Sequence, residues 1–181
     1  MLNSLKSVAD IQFGFYDKPK PEGEVRYIQS INFSFEHPSA FLSKDTVSPN
    51  HLLKDNDILF AAKGVRNTAL KFTGSFGPAV ASSIFFVIKP DIHKVLSDYL
   101  VLYLNDLKTQ KLLRSLTGTT TVPHINKKDL AEIEILLPPL DQQKKIVKLM
   151  LQWEEEKKIT EQLMEKKHLF YSSLFNQLIQ K

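Results

Sequence analysis

Residues 133–181 read IEILLPPLDQQKKIVKLMLQWEEEKKITEQLMEKKHLFYSSLFNQLIQK, and a change of character inside this stretch decides the fold. Ile133 to Leu137 is a short apolar run with the look of a strand. Pro138 and Pro139 end it, because proline has no amide hydrogen to give to a sheet ladder. From Asp141 onward there is neither glycine nor proline, and Gln, Lys, Glu and Leu, all good helix formers, dominate. This predicts a helix of roughly 40 residues, about 60 Å long at 1.5 Å per residue, which is more than the core of so small a chain requires.

Such a helix needs a partner. With Ile146 at heptad position a and Leu149 at d, one seam carries Ile146, Leu149, Trp153, Leu163, Phe170 and Leu174. Glu156, Thr160 and Lys167 fall on the same seam, so the expected packing is an irregular coiled coil or helical hairpin, not a regular parallel zipper. Without cover, Trp153 and Phe170 would stand exposed.

The first 140 residues alternate short β-rich runs with Gly, Pro and Asn punctuation. The runs are Val25 to Ile31, Ile58 to Ala62 and Ser83 to Ile88. Pro19, Pro21 and Gly23 mark one loop, and Gly74, Gly77 and Pro78 another, just before SIFFVIK, which reads as a central strand. From Val95 to Leu116 apolar residues recur at three- and four-residue steps, the pattern of one helix, with Ser97 placed to cap its start and Gly118 its end. A brief helical turn is expected near Lys127 to Ala131. The fold class is α+β, with a mixed α and β globular domain over 1–140 and a long helix over 141–181.

The 181 residues are 43% hydrophobic and 24% charged, ordinary values for a folded protein. With no cysteine, disulfides, thiolate nucleophiles and cysteine-based zinc sites are excluded. MLNSLKSVAD lacks the apolar core of a signal peptide, and no run of about 18 apolar residues offers a membrane span, so a cytoplasmic location is expected. The net charge of +4 is spread evenly along the chain, but the acids are not. Asp57 and Asp91 enclose an acid-free stretch with Lys63, Arg66, Lys71 and Lys89, and Asp106 and Asp129 enclose a second with Lys108, Lys111, Arg114, Lys127 and Lys128. On charge alone both are equally compatible with phosphate binding and with an ordinary solvated surface.

A search for catalytic chemistry returns almost nothing. A methyltransferase would show a glycine-rich turn after a strand, and an Asn or Asp followed by Pro-Pro and an aromatic. The Pro138–Pro139 pair is flanked instead by Leu137 and Leu140. Pro90 and Asp91 imitate half of a nuclease motif, but Glu155, Glu156 and Lys157, the other half, lie on the solvated helix far along the chain. His37, His51, His93, His124 and His168 have no ligand-like spacing, and no phosphate loop or serine nucleophile is apparent.

The segment GTTTVPHINKKDLAEIEILLPPLDQQKKIV, Gly118 to Val147, resembles the junction between a target-recognition domain and the long helix in specificity subunits of type I restriction-modification systems. The matching elements are Gly118, Thr119, Thr120, Ile125, the strand Ile133 to Leu137, Pro138, Pro139, Leu140, Gln143 and Ile146. LKSVADIQFGF resembles the opening strand and glycine of such domains, and LLKDNDILFAAKG their Gly-Asp-Ile-Leu segment, with Asn56 standing where that glycine usually does. The tail, with Trp153 and the ending FYSSLFNQLIQK, looks like the same family's long helix.

The resemblance implies a half-length specificity subunit: a non-catalytic reader of double-stranded DNA that needs no cofactor and directs modification subunits, with or without a restriction subunit. Full-length members carry two recognition domains and two long helices, whereas this chain has one of each. Two copies with helices antiparallel would rebuild the set as a homodimer reading a palindromic, bipartite site. The expected DNA contacts are Lys63, Arg66, Asn67, Thr68 and Lys71, with Arg66 first for a base edge. Next come Thr119, Thr120, Thr121 and His124 with Lys127 and Lys128 behind them, and then Lys18, Lys20 and Arg26. Ile146, Leu149, Trp153, Leu163, Phe170 and Leu174 are the expected dimer interface. Two other readings use the same residues, a detached specificity part of a fused restriction-methylation enzyme and an assembly module without DNA binding.

Overall fold

A computed structural model describes residues 2–30, 40–63, 67–74, 77–117 and 123–179. Its strands in chain order are β1 (Leu2–Ser4), β2 (Ala9–Phe13), β3 (Val25–Ile28), β4 (Phe41–Leu42), β5 (Ile58–Ala61), β6 (Ala69–Lys71), β7 (Ala79–Ala81), β8 (Phe85–Pro90) and β9 (Glu134–Leu136). The α-helices are α1 (Ser97–Asn105), α2 (Leu107–Leu116), α3 (Lys127–Ala131) and α4 (Leu140–Ile179). The chain divides into two units, Met1–Gln143 and Lys144–Lys181.

In the first unit an antiparallel sheet of order β2-β8-β5-β6 faces a smaller sheet of order β4-β3-β7, in which β3 and β7 run parallel. The apolar run of β8 puts it inside the larger sheet, with Phe85, Phe86, Val87 and Ile88 all buried. Alternation sends Val87 and Phe85, with Leu59 and Ala61 of β5, into a core shared with Ile28, Ala79 and Ala81 of the smaller sheet and with Leu53 and Phe72. Ile58, Phe60, Phe86 and Ile88 take the opposite face and are buried as well.

The helix expected over Val95 to Leu116 is two helices. Asp106 adopts an extended conformation and its carboxylate accepts from the Lys108 amide, capping α2. Gln110 donates to the Leu104 carbonyl, one of the acceptors left free at the break, and to the Asn67 carbonyl. The break leaves Leu107 and Leu112 exposed. Ser97 does not cap; its hydroxyl donates to the Asn56 carbonyl at 2.8 Å, and Leu96 takes the cap position. The expected end at Gly118 lies outside the described residues. Asn105 fastens α1 to the sheet edge, accepting from the Ala69 amide at 2.9 Å and donating to the Ala69 carbonyl at 2.8 Å.

Two backbone positions explain their residues. A Cβ on Gly14 would stand 2.0 Å from the Ser82 carbonyl oxygen, so only glycine fits where the chain leaves β2. Asn56 has φ +73°, and asparagine is among the few non-glycine residues that enter the left-handed region readily, so it does the work of the glycine it replaces.

The turn into α4 is held by Gln143, which is completely buried. Its Oε1 accepts from the Leu96 amide at 2.9 Å, and its Nε2 donates to the Pro138 carbonyl at 2.9 Å and the Lys94 carbonyl at 3.0 Å. Tyr99 on α1 donates to the Leu136 carbonyl at 2.6 Å, beside the same turn. Beyond it α4 continues unbroken to Ile179, and every described residue from Leu151 onward is exposed. No described helix is long and apolar enough to cross a membrane.

Candidate nucleic-acid interface

β2 and β5 both run antiparallel to β8, so both deliver their C-terminal ends to the end of the sheet where β8 begins. β6 starts at the same end, with the Ala61 amide donating to the Thr68 carbonyl. Connecting segments converge there on a rigid support, the usual arrangement for binding residues.

Past β5 the Ala62 amide donates to the Ile84 carbonyl at 2.9 Å, and the next residue, Lys63, forms an isolated antiparallel bridge with His124. The Ile125 amide closes the junction on the Ala62 carbonyl at 3.0 Å, and the Ile125 side chain is fully buried. The two acid-free stretches, far apart in sequence, are thus tied together by backbone pairing. Lys63 and His124 are both exposed.

Asn126 then caps α3 by accepting from the Asp129 amide at 2.8 Å. This sets Lys127, the first residue of α3, with its ammonium 5.6 Å from the ring centroid of Phe13, a cation–π contact. Phe13 ends β2, packs edge-on against Phe86 with centroids 5.3 Å apart, and is still 62% exposed. The sheet end therefore presents a lysine, an imidazole and a lysine-capped aromatic ring. A phosphate can pair with the ammonium groups, and a base or sugar can lie against the ring.

Behind Lys127 an open pocket is lined by Lys6, Ala9, Asp10, Ile11, Lys127 and Ala131. Lys6 is paired with Glu132 at 2.5 Å. With Asp10 in its wall, this pocket has mixed charge.

The other expected contacts fall elsewhere. Asn67 is buried, with its amide donating to the Ala61 carbonyl at 2.9 Å, so it holds the base of its loop and presents nothing to a ligand. Thr68 is half-buried in the β5–β6 pairing. Lys71 is half-buried and ion-paired with Asp98 of α1 at 2.6 Å. Lys18 and Lys20 are exposed between β2 and β3, and Lys20 exchanges backbone hydrogen bonds with Phe41. Arg26 is half-buried on β3, with its guanidinium beside Gly77. Lys128 is exposed on α3. Arg66, Thr119, Thr120 and Thr121 lie outside the described residues.

Phe13 and, three residues on, Tyr16, which is 79% exposed, were not among the expected contacts. In ADIQF the alternation puts Phe13 on the same face as the buried Ala9 and Ile11, which reads as core. Gly14, marking the strand's end, is the one local sign that the cover stops there.

Basic and aromatic side chains on the connections of a rigid sheet make a binding module, and among the described residues no group of three or more His, Asp or Glu is arranged to hold a metal. Residues 4–166 match the family described as type I restriction modification DNA specificity domain, and the chain belongs to that family. The type I restriction enzyme MjaVIII specificity subunit of Methanocaldococcus jannaschii is 34% identical over 99 residues, which make up 55% of this chain and 22% of that protein. The solved S subunit of a type I restriction-modification system from M. genitalium has the same fold, with a TM-score of 0.63 and 17% identity over 86% of this chain and 39% of that one. The HsdS subunit from Thermoanaerobacter tengcongensis matches with a TM-score of 0.63 and 20% identity over 86% and 37%. The chain therefore spans less than half the length of each of these proteins.

Proposed function

We propose that this chain is the sequence reader of a type I restriction-modification complex, one that chooses where on double-stranded DNA the modification subunits act and performs no chemistry itself. The observation that carries the reading is the Lys63–His124 backbone bridge, which joins the two acid-free segments at the end of the larger sheet. In sequence those segments include Arg66 and Thr119 to Thr121, residue types able to reach base edges, while Lys63 and Lys127 are suited to phosphates. Lys18, Lys20, Arg26, Thr68 and Lys71 are secondary contacts in this reading. Residues 1–140 form the recognition domain and residues 141–181 the helix that pairs with a second copy. Two copies then read a palindromic site in two halves, since symmetry gives each half the same reader. No cofactor is bound by this chain, and its setting is the cytoplasm.

The test is binding to target and random DNA across a salt series, with the modification subunits present. Lys63→Glu and Lys127→Glu should each lower affinity by about 1 kcal/mol or more and make the salt dependence shallower by about one phosphate contact. Lys44→Glu, on an exposed turn beside the smaller sheet, should do neither. Unchanged affinity and unchanged salt slope in both of the first two variants would remove this surface from the interface.

A further inference from the structure

On the seam of α4, Leu149, Trp153, Leu163 and Phe170 are each at least half exposed, at 65%, 51%, 50% and 63%. Four seam positions break the apolar pattern, Glu156, Thr160, Lys167 and Gln177, and only Glu156 and Lys167 are charged. In an antiparallel helix pair, position a of one helix shares a layer with position d of the other, and sliding by one heptad changes every partner. The register that spans the helix from Ile146 to Gln177 sets Leu149 against Leu174, Trp153 against Phe170, Glu156 against Lys167 and Thr160 against Leu163. Each layer occurs twice about the two-fold axis. In that register the two charged exceptions meet each other, Leu149 meets Leu174 and Trp153 meets Phe170, while the uncharged Thr160 and Gln177 face Leu163 and Ile146.

Sliding one heptad either way destroys the match. One slip puts Lys167 against Leu149 and Glu156 against Thr160; the other puts Lys167 against Leu163 and Glu156 against Leu174. Either leaves desolvated charges unpaired, which is costly. A parallel in-register pair would stack Glu156 on Glu156 and Lys167 on Lys167. In the matched register the flanking positions place Lys157 near Met164 and Lys166 near Ile159, where lysine stems can cover apolar surface while their ammonium groups stay in water.

We infer that α4 pairs with the α4 of a second copy in this one antiparallel register, selected by reciprocal Glu156–Lys167 ion pairs within the seam. The inference rests on the antiparallel self-pairing already expected and adds its alignment and the residues that enforce it. A polar layer that fixes register at some cost in stability is a known use of buried polar groups in coiled coils.

The chain has no cysteine, so introduced ones report cleanly. Leu149→Cys and Leu174→Cys variants of the full chain should not cross-link with themselves under mild oxidation, and an equimolar mixture of the two should. Glu156→Lys and Lys167→Glu should each weaken self-association by at least roughly tenfold, because both layers then carry like charges. Mixing these two variants should restore it, since each supplies the charge the other needs. A dimer in which Leu149→Cys links to itself, or in which Glu156→Lys associates as tightly as the unaltered chain, would overturn the register and leave self-pairing intact. A strictly monomeric unaltered chain at micromolar concentration would overturn both.

Discussion

In the first unit Phe60, Leu59 and Ile58 on β5 are fully buried, whereas on α4 Leu149, Leu169 and Leu178 are 65%, 62% and 66% exposed. Both regions spend many apolar residues, but only the first removes them from water within one chain. Burial is the main favourable term in folding, at roughly 25 cal/mol per Å² of apolar surface. The sheet unit therefore has its own reason to fold. The helix gains that term only when something covers its seam, and isolated helices owe little of their stability to propensity alone. The contrast separates a unit that covers its apolar residues from a helix that leaves its apolar residues exposed.

The sharpest way to break this contrast is to make a similar truncation in both regions. Phe60→Ala in β5 should cost about 3–5 kcal/mol in chemical denaturation, through lost burial and the cavity it leaves. Leu169→Ala, off the seam of α4, should change stability by less than about 0.5 kcal/mol. Equal losses would mean that the helix is covered in solution on that side too. A smaller effect, about 2–3 kcal/mol, is expected from Gln143→Leu, which leaves the Leu96 amide and the Lys94 and Pro138 carbonyls without their partner. A stability within 0.5 kcal/mol of the unaltered chain would show that water satisfies those groups and that Gln143 is not what holds the turn.

Much of the scaffold was legible because its signals are local. The apolar SIFFVIK run became the interior strand β8, the turn at Lys127 became α3, and the Gly- and Pro-free tail became α4. The break at Asp106 was hidden, since a periodic pattern continues across a capped discontinuity that costs only a turn. Asn67 looked like a reader because it lies in a basic loop, and its burial depends on the carbonyl of Ala61 across that loop. The pairing of Lys63 with His124 could not be read locally, because a bridge between distant segments leaves no mark in either. The acid-free stretches were visible in the sequence, but not that Lys63 and His124 join them.

Whether one reader is used twice can be seen by mapping modified bases in DNA from cells that carry this chain and its modification subunits. The account predicts a single split sequence whose two halves are inverted copies of each other, lost when Glu156→Lys replaces the natural chain and regained when Lys167→Glu is supplied with it. A modified sequence with unrelated halves, or one that persists unchanged in the Glu156→Lys strain, would contradict it.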